Sequence, residues 1–201
     1  MAKIAIPRGT TAMIFNDMIN ANVRGADTER TRVIEASGLI GRQVRWVTEL
    51  RRSGIPIFWV RVERRADRKD RVDVLTDAFI AGGRVPASPT VKGPLAQNIS
   101  ELSIQPEDHE ILKPRLSAFC GTDLDLQLRA RRIDTVLLGG ISTNMGVESS
   151  ARAAFDLDYH VVVLGDLCWA ADTEKHEWAL TKSLPAFARV MTADAAGTLI
   201  R

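Results

Sequence analysis

Residues 133–164 read IDTVLLGGISTNMGVESSARAAFDLDYHVVVL. Two apolar runs, Ile133–Ile141 and Tyr159–Leu164, flank a stretch, Thr143–Leu157, that opens in Thr and Asn. Short runs of this composition predict strands, and the stretch between them predicts a helix. A strand, a crossover helix and a second strand together predict a parallel βαβ unit. Both runs are nearly continuous in apolar residues rather than alternating. That pattern predicts a sheet covered on both faces.

The same alternation continues on either side. Thr11–Phe15 (TAMIF) predicts a first strand, ending in Asn16-Asp17. Thr31–Ser53 has helical spacing, with Val33, Ile40, Val44, Val47 and Leu50 close to one face and Gly54 as its stop. Ile55–Val62 predicts a second strand and Glu110–Leu112 a third, ending at Lys113-Pro114. Between them, Arg61 to Asp73 is dense in charge and Asp77 to Pro94 is rich in Gly and Pro, which predicts a loop. Thr122–Arg132 predicts a helix with Thr122 as N-cap. Thr173–Leu184, opened by Asp172, predicts another, and Ala188–Thr192 a sixth strand. The whole is the pattern of a doubly wound α/β domain, read as one unit over residues 1–201.

Composition narrows the function classes. The chain has 201 residues, 45% hydrophobic and 26% charged, which is ordinary for a globular domain. A net charge of +2 argues against a dedicated nucleic-acid binder. No stretch approaches the roughly 18 apolar residues of a membrane span, and the opening MAKIAIPRGTTAMIF lacks the apolar core of a signal peptide. The two cysteines, Cys120 and Cys168, are too few and too far apart for a disulfide framework or a CxxC site. A reducing, cytoplasmic setting is the expectation.

In an open parallel sheet, sites gather at the carboxyl ends of the strands. The polar residues there are Asn16 and Asp17, then Arg61 and Glu63, then Lys113. Ser142, Thr143, Asn144 and Gly146 follow the fourth strand, and Asp166 follows the fifth. A charge at the end of an apolar strand is costly unless paired. A Lys beside Asp17 would hold the carboxylate ionised, ready to accept a proton, or the pair could shuttle one. The turn from Gly139 to Glu148 leads into a helix, whose first N–H groups can hold an anionic oxygen. It is neither GxGxxG nor a Walker A loop, so no dinucleotide, ATP or other cofactor is expected.

Taken together, TAMIFNDMIN, Lys113-Pro114-Arg115, Ser117-Ala118-Phe119 with Gly121-Thr122-Asp123-Leu124, and Gly140-Ile141-Ser142-Thr143-Asn144 resemble the isochorismatase-like (cysteine hydrolase) superfamily. The resemblance runs in register from about Thr11 to Asp166. It implies a three-layer α/β/α fold around a mostly parallel, Rossmann-like six-stranded sheet. It also implies a catalytic Asp, Lys and Cys in chain order. Asp17 matches the Asp and Lys113 the Lys, while Gly146 stands where the family has its Cys. The family's cis peptide would fall at Ile141-Ser142, helping to aim backbone N–H groups into the pocket. N–H groups around Met145-Gly146, with Ser142, would bind an anionic oxygen.

Without a thiol at position 146, three readings stay open. True isochorismatases also carry Gly there and need no nucleophile, since a vinyl ether is protonated on carbon and water captures the resulting cation. Asp17 would then be the acid/base and Lys113 its electrostatic partner, acting on a small, anionic substrate. Against isochorismate itself, Ile19 replaces the family's Gln, and STNMGVESSARAA is closer to the amidohydrolase members. The second reading is therefore a C–N hydrolase using direct water attack or a displaced thiol, Cys120 or Cys168. The third is a non-catalytic binding protein that lost the nucleophile.

Other residues carry smaller expectations. Arg61, with Arg64 and Arg65, could capture a substrate carboxylate or form a solvated loop. No metal is expected, because His109, His160 and His176 form no i,i+4 pair and each is read as facing solvent or capping an element. Trp59 is read as core. Glu148 and Arg152 are read as a surface i,i+4 pair. Trp46, Trp169 and Trp178 are candidates for subunit contacts, since the resemblance implies a homo-oligomer, a dimer or tetramer.

Overall fold

In the computed structural model the described residues are 4–25, 27–63, 65, 67, 69–70, 74, 76–77 and 92–201. Most of the Gly/Pro-rich stretch, and Arg64, lie outside them. The strands are β1 (Thr11–Asn16), β2 (Ile57–Val62), β3 (His109–Lys113), β4 (Thr135–Ile141), β5 (His160–Trp169) and β6 (Arg189–Met191). They form one sheet in the order β3-β2-β1-β4-β5-β6 with every pair parallel. The chain winds outward to one edge from β1 and to the other from β4. The junction of β1 and β4 is thus the topological switch point, where open α/β sheets leave a crevice.

Strand side chains alternate between two cores. Met13, Phe15, Ile57, Trp59, Leu137, Val162 and Leu164 face one layer. It contains α1 (Asn20–Val23), α2 (Thr28–Ala36), α3 (Leu39–Arg52) and α7 (Ala193–Gly197), through Val23, Ile34, Trp46, Val47, Leu50 and Ala196. Ala12, Ile14, Phe58, Val60, Val136, Leu138, Val161 and Val163 face the other layer. There α4 (Leu124–Ala130) and α5 (Glu148–Asp156) supply Leu124, Leu128, Ala151 and Ala154. Both faces are covered, which is why β1 and β4 carry no exposed residue. Among the described residues no helix is long and apolar enough to cross a membrane.

Several elements differ from the expectation. The helix expected over Thr31–Ser53 is two helices, because Gly38 takes φ +72 and restarts the chain. The restart changes the helical phase, so Ile34 is buried and Val33 is exposed. Gly54, at φ +68, does end α3. Thr122 lies one residue before the flanking Asp123. Its hydroxyl donates to Ala118 O at 2.6 Å and accepts from Leu124 N at only 3.4 Å. The helix expected over Thr173–Leu184 is α-helical only as α6 (Thr173–Trp178), where Asp172 caps Lys175 N.

β5 runs on to Trp169, past the expected end at Leu164, with a register shift opposite Leu138 and Gly140. Asp166 therefore lies within the strand rather than at the sheet edge. Its Oδ1 accepts from Ala193 N at the start of α7, a structural task.

Gly140 explains how closely β1 and β4 approach. It has φ +118, and a Cβ there would lie 2.1 Å from Asn16 O and 2.6 Å from Asn16 N. Gly54 has open space around the same atom. Gly140→Ala is expected to cost more than about 4 kcal/mol or to prevent folding, because backbone blocks the new methyl. Gly54→Ala should cost about 1 kcal/mol, from its left-handed backbone alone. Equal denaturant midpoints for the two variants would contradict this packing.

Candidate functional site

Asp17 directly follows β1 and sits at φ +51, a region an L residue enters at some cost. Its N–H donates to Val60 O at 2.7 Å, and its own carbonyl accepts from Asn22 Nδ2 at 2.9 Å. These bonds hold the turn that carries the carboxylate back over β2. One carboxylate oxygen, Oδ1, accepts from Val62 N at 2.9 Å. The other, Oδ2, lies 2.6 Å from Lys113 Nζ.

Lys113 is the last residue of β3 and pairs in register with Val62. Its ammonium thus crosses the end of β2 to reach the residue after β1. Lys113 is 2% exposed and Asp17 8%. A buried ammonium needs its protons matched, and Nζ also donates to Leu116 O at 2.7 Å. Charges drawn this far from water are stable only with such matching, and removing one partner costs about 3–5 kcal/mol.

The third component comes from the far side of the switch point. The Ile141-Ser142 peptide at the end of β4 is cis. The expected helix over Thr143–Leu157 starts as a π-helical turn, Thr143–Val147, before α5 takes over. π turns often mark functional sites. Gly146 is buried in this turn. A Cβ on Gly146 would lie 3.3 Å from Lys113 Nζ, 3.5 Å from Asp17 Oδ2 and 3.6 Å from Leu116 O. Position 146 therefore faces the ion pair directly, and its missing side chain leaves space against both charges.

Other candidates take different places. Arg61 is 8% exposed, but its Nε meets Glu110 at 2.8 Å and its Nη1 meets Glu63 at 2.5 Å. Nη1 also reaches Ala96 O at 3.3 Å. Two carboxylates neutralise the guanidinium, so Arg61 is a strut between β2, β3 and residue 96, not a free anion receptor. The sequence spacing hides Glu110, which reaches Arg61 only through strand pairing. Met145 N donates to Ser142 O at 3.1 Å, so this N–H is spent within the turn rather than offered to an oxyanion. Ser142 itself is half-buried, and its carbonyl also accepts from Val147 N at 3.2 Å.

The aromatic and imidazole residues also sort themselves. Trp59 is fully buried, stacked on Phe15 at 4.8 Å, with Nε1 donating to Asp108 at 3.0 Å. Trp46 is in the core, Trp169 lies under the Arg30 guanidinium, and Trp178 is exposed. His160 is exposed, but His109 stacks on Phe58 at 4.5 Å. His176 Nδ1 lies 2.7 Å from the buried Thr143 hydroxyl, bracing the π turn from α6. Nothing in the local sequence signals that contact, because 33 residues separate the partners. Glu148 and Arg152 do pair, at 2.8 Å, and both also bond Ser183. Among the described residues no cluster of three or more His, Cys, Asp or Glu is placed to hold a metal.

The two thiols differ sharply. Cys168 is buried, and burial pushes its thiol up to about 12. Cys120 is exposed. At about pH 8 iodoacetamide should label Cys120 in the folded protein and reach Cys168 only on unfolding, as the thiolate is the reactive form. Peptide mapping that finds both labelled natively would contradict this environment. Burial also lowers His176 below its ordinary 6.5, partly opposed by Glu177. A base lowered in the folded state gives stability that is complete above the ordinary value and fades as pH falls. Urea unfolding at about pH 7 and about pH 5 should show a loss that His176→Gln reduces. An unchanged loss in that variant would remove His176 from the account.

A model of the isochorismatase domain matches residues 11–195. The isochorismatase family protein YecD of Escherichia coli O157:H7 is 36% identical over 185 residues, 92% of this chain and 93% of that one. The ureidoacrylate amidohydrolase RutB of Methylobacterium radiotolerans is 28% identical, over 92% of this chain and 76% of its own. The structure of an isochorismatase family protein from Burkholderia thailandensis superposes with a TM-score of 0.82 at 30% identity, covering 98% of each chain. The family model spans all six strands of the sheet, including both strands of the switch point, and the chain belongs to the isochorismatase family of hydrolases.

Proposed function

We propose that this hydrolase acts on a small, anionic substrate through Asp17 and Lys113, with no covalent enzyme intermediate. The observation that carries the reading is the position of Gly146. A side chain there would begin 3.3 Å from Lys113 Nζ and 3.5 Å from Asp17 Oδ2, where a nucleophile would serve an Asp/Lys pair. Gly146 occupies the place of the family's Cys and supplies no nucleophile. Neither remaining thiol replaces it. Cys168 is held neutral by burial and donates to Leu164 O at 3.3 Å. Cys120 belongs to the exposed loop before α4.

Water is then the attacking group. Asp17 moves the proton, and Lys113 holds the carboxylate in place and supplies positive charge beside the substrate. In this reading Ser142, next to the cis peptide, helps to bind the substrate's anionic oxygen. The similarity to an amidohydrolase of ureidoacrylate favours a second form of this reading, in which the bond cleaved is a C–N bond of a small ureido or carbamoyl acid. For the C–N bond Asp17 takes a proton from the attacking water and returns it to the leaving nitrogen; for a vinyl ether the protonated acid first gives its proton to carbon, and the water that captures the cation restores it. The protein works as a homo-oligomer in a reducing, cytoplasmic compartment. The exposed Trp178 favours the oligomer, and the free exposed Cys120 favours the compartment.

A screen of vinyl ethers, ureido acids, carbamoyl acids and small amides tests this. Asp17→Asn keeps one acceptor oxygen but loses the charge opposite Lys113, so its melting temperature should fall, and below that temperature its turnover should be lower by about 10²–10⁴. Full activity in Asp17→Asn would overturn the reading. Gly146→Cys should gain activity on amides if the pocket is an amidase pocket without its thiol. Its melting temperature checks that the 3.3 Å approach to Lys113 is tolerated.

A further inference from the structure

We propose that Ser150 is the positioning residue of this site, its one hydroxyl tying together the two segments that carry Lys113 and Gly146. The inference rests on the reading of Asp17 and Lys113 as the reacting pair. Ser150 is fully buried on α5, four residues after Gly146. Its Oγ lies 2.6 Å from Gly146 O, 2.9 Å from Ala118 N and 3.2 Å from Asn16 Oδ1. A hydroxyl has one proton and two lone pairs. The proton goes to Gly146 O, the shorter contact, and a lone pair accepts the Ala118 N–H, so Asn16 Oδ1, itself an acceptor, is a neighbour and not a hydrogen-bond partner.

Each contact is close to a functional group. Gly146 O belongs to the residue that faces the ion pair. Ala118 closes the loop that begins at Lys113, and that loop's Leu116 carbonyl accepts from Lys113 Nζ at 2.7 Å. Asn16 immediately precedes Asp17 and pairs with Gly140 of β4. A serine within a helix often bonds the carbonyl four residues back, which is local and has little consequence. The bond from Ala118 N is different, because it joins segments 32 residues apart in sequence. Replacing the hydroxyl by a methyl would leave a buried carbonyl and a buried N–H without their partner. The π turn and the Lys113 loop would then be free to separate. Position 146 would lose its distance to the ammonium.

A thiol introduced at position 146 reports that distance without any substrate. In a Cys120→Ser background, Gly146→Cys places a sulfur beside Lys113 Nζ, and the pH dependence of its alkylation gives its acidity. Adding Ser150→Ala should lower the thiolate fraction at about pH 7 roughly tenfold, while Ser150→Thr, which keeps the hydroxyl, should leave it unchanged. A role limited to stability would lower the melting temperature without moving the thiol. In the otherwise unchanged protein, hydrogen exchange of segments 113–118 and 143–147 should accelerate together in Ser150→Ala and in neither segment in Ser150→Thr. Unaltered exchange in either segment, or a depressed thiol that Ser150→Ala does not move, overturns the proposal. A thiol of ordinary acidity in Gly146→Cys itself would count against the Asp17–Lys113 reading, and hydrogen exchange then decides the role of Ser150.

Discussion

A lysine ammonium almost wholly removed from water is the constraint around which this end of the molecule is organised. Lys113 has 1% of its side chain exposed and reaches Asp17 across the end of β2. Such a group is tolerable only if a carboxylate is delivered to it and the remaining protons find acceptors. Delivery depends on three strands being in register. Val62 pairs with Lys113 and gives its N–H to Asp17, so β2 is both spacer and support. The Arg61 ion pairs with Glu63 and Glu110, and the Trp59 bond to Asp108, bind β2 to the β3 side just below. These contacts lie outside the Asp17–Lys113 pair, yet they set its separation.

Missing side chains matter as much as the charges. At Gly140 the absence of a Cβ lets β1 and β4 approach within contact of their backbones. At Gly146 it leaves a space bounded by an ammonium, a carboxylate and a carbonyl. Both glycines lie at the junction where the winding direction of the sheet reverses. A doubly wound sheet has a crevice there for purely topological reasons. This chain places a buried charge pair on one rim of that crevice and a π-helical turn on the other.

Much of the architecture was legible from residue order. Continuous apolar runs in β1, β4 and β5 implied a two-faced sheet, and Asp17 and Lys113 stood out as charges at strand ends. Departures from the expectation have two physical causes, partners distant in sequence and local breaks in helix geometry. Arg61 looked like an anion receptor because Glu110, 49 residues away, is adjacent only through strand pairing. Asp166 looked like a sheet-edge residue because the register shift that extends β5 has no local signature. Val33 looked buried because one helix was assumed where Gly38 makes two. The Met145 N–H looked available because a regular helix start was assumed where a π turn uses it.

Residue order alone established the α/β class, the likeness to the isochorismatase family, the absence of a thiol at position 146, and the charges of Asp17 and Lys113 at strand ends. Those properties follow from periodicity and residue identity, which are local. That Asp17, Lys113 and Gly146 converge within a few ångströms, that Arg61 is already neutralised, and that Ser150 joins the Lys113 loop to the helix after Gly146 are facts of folding. Each depends on partners tens of residues apart, brought together by strand register and layer packing, and no window of sequence contains both members of such a pair.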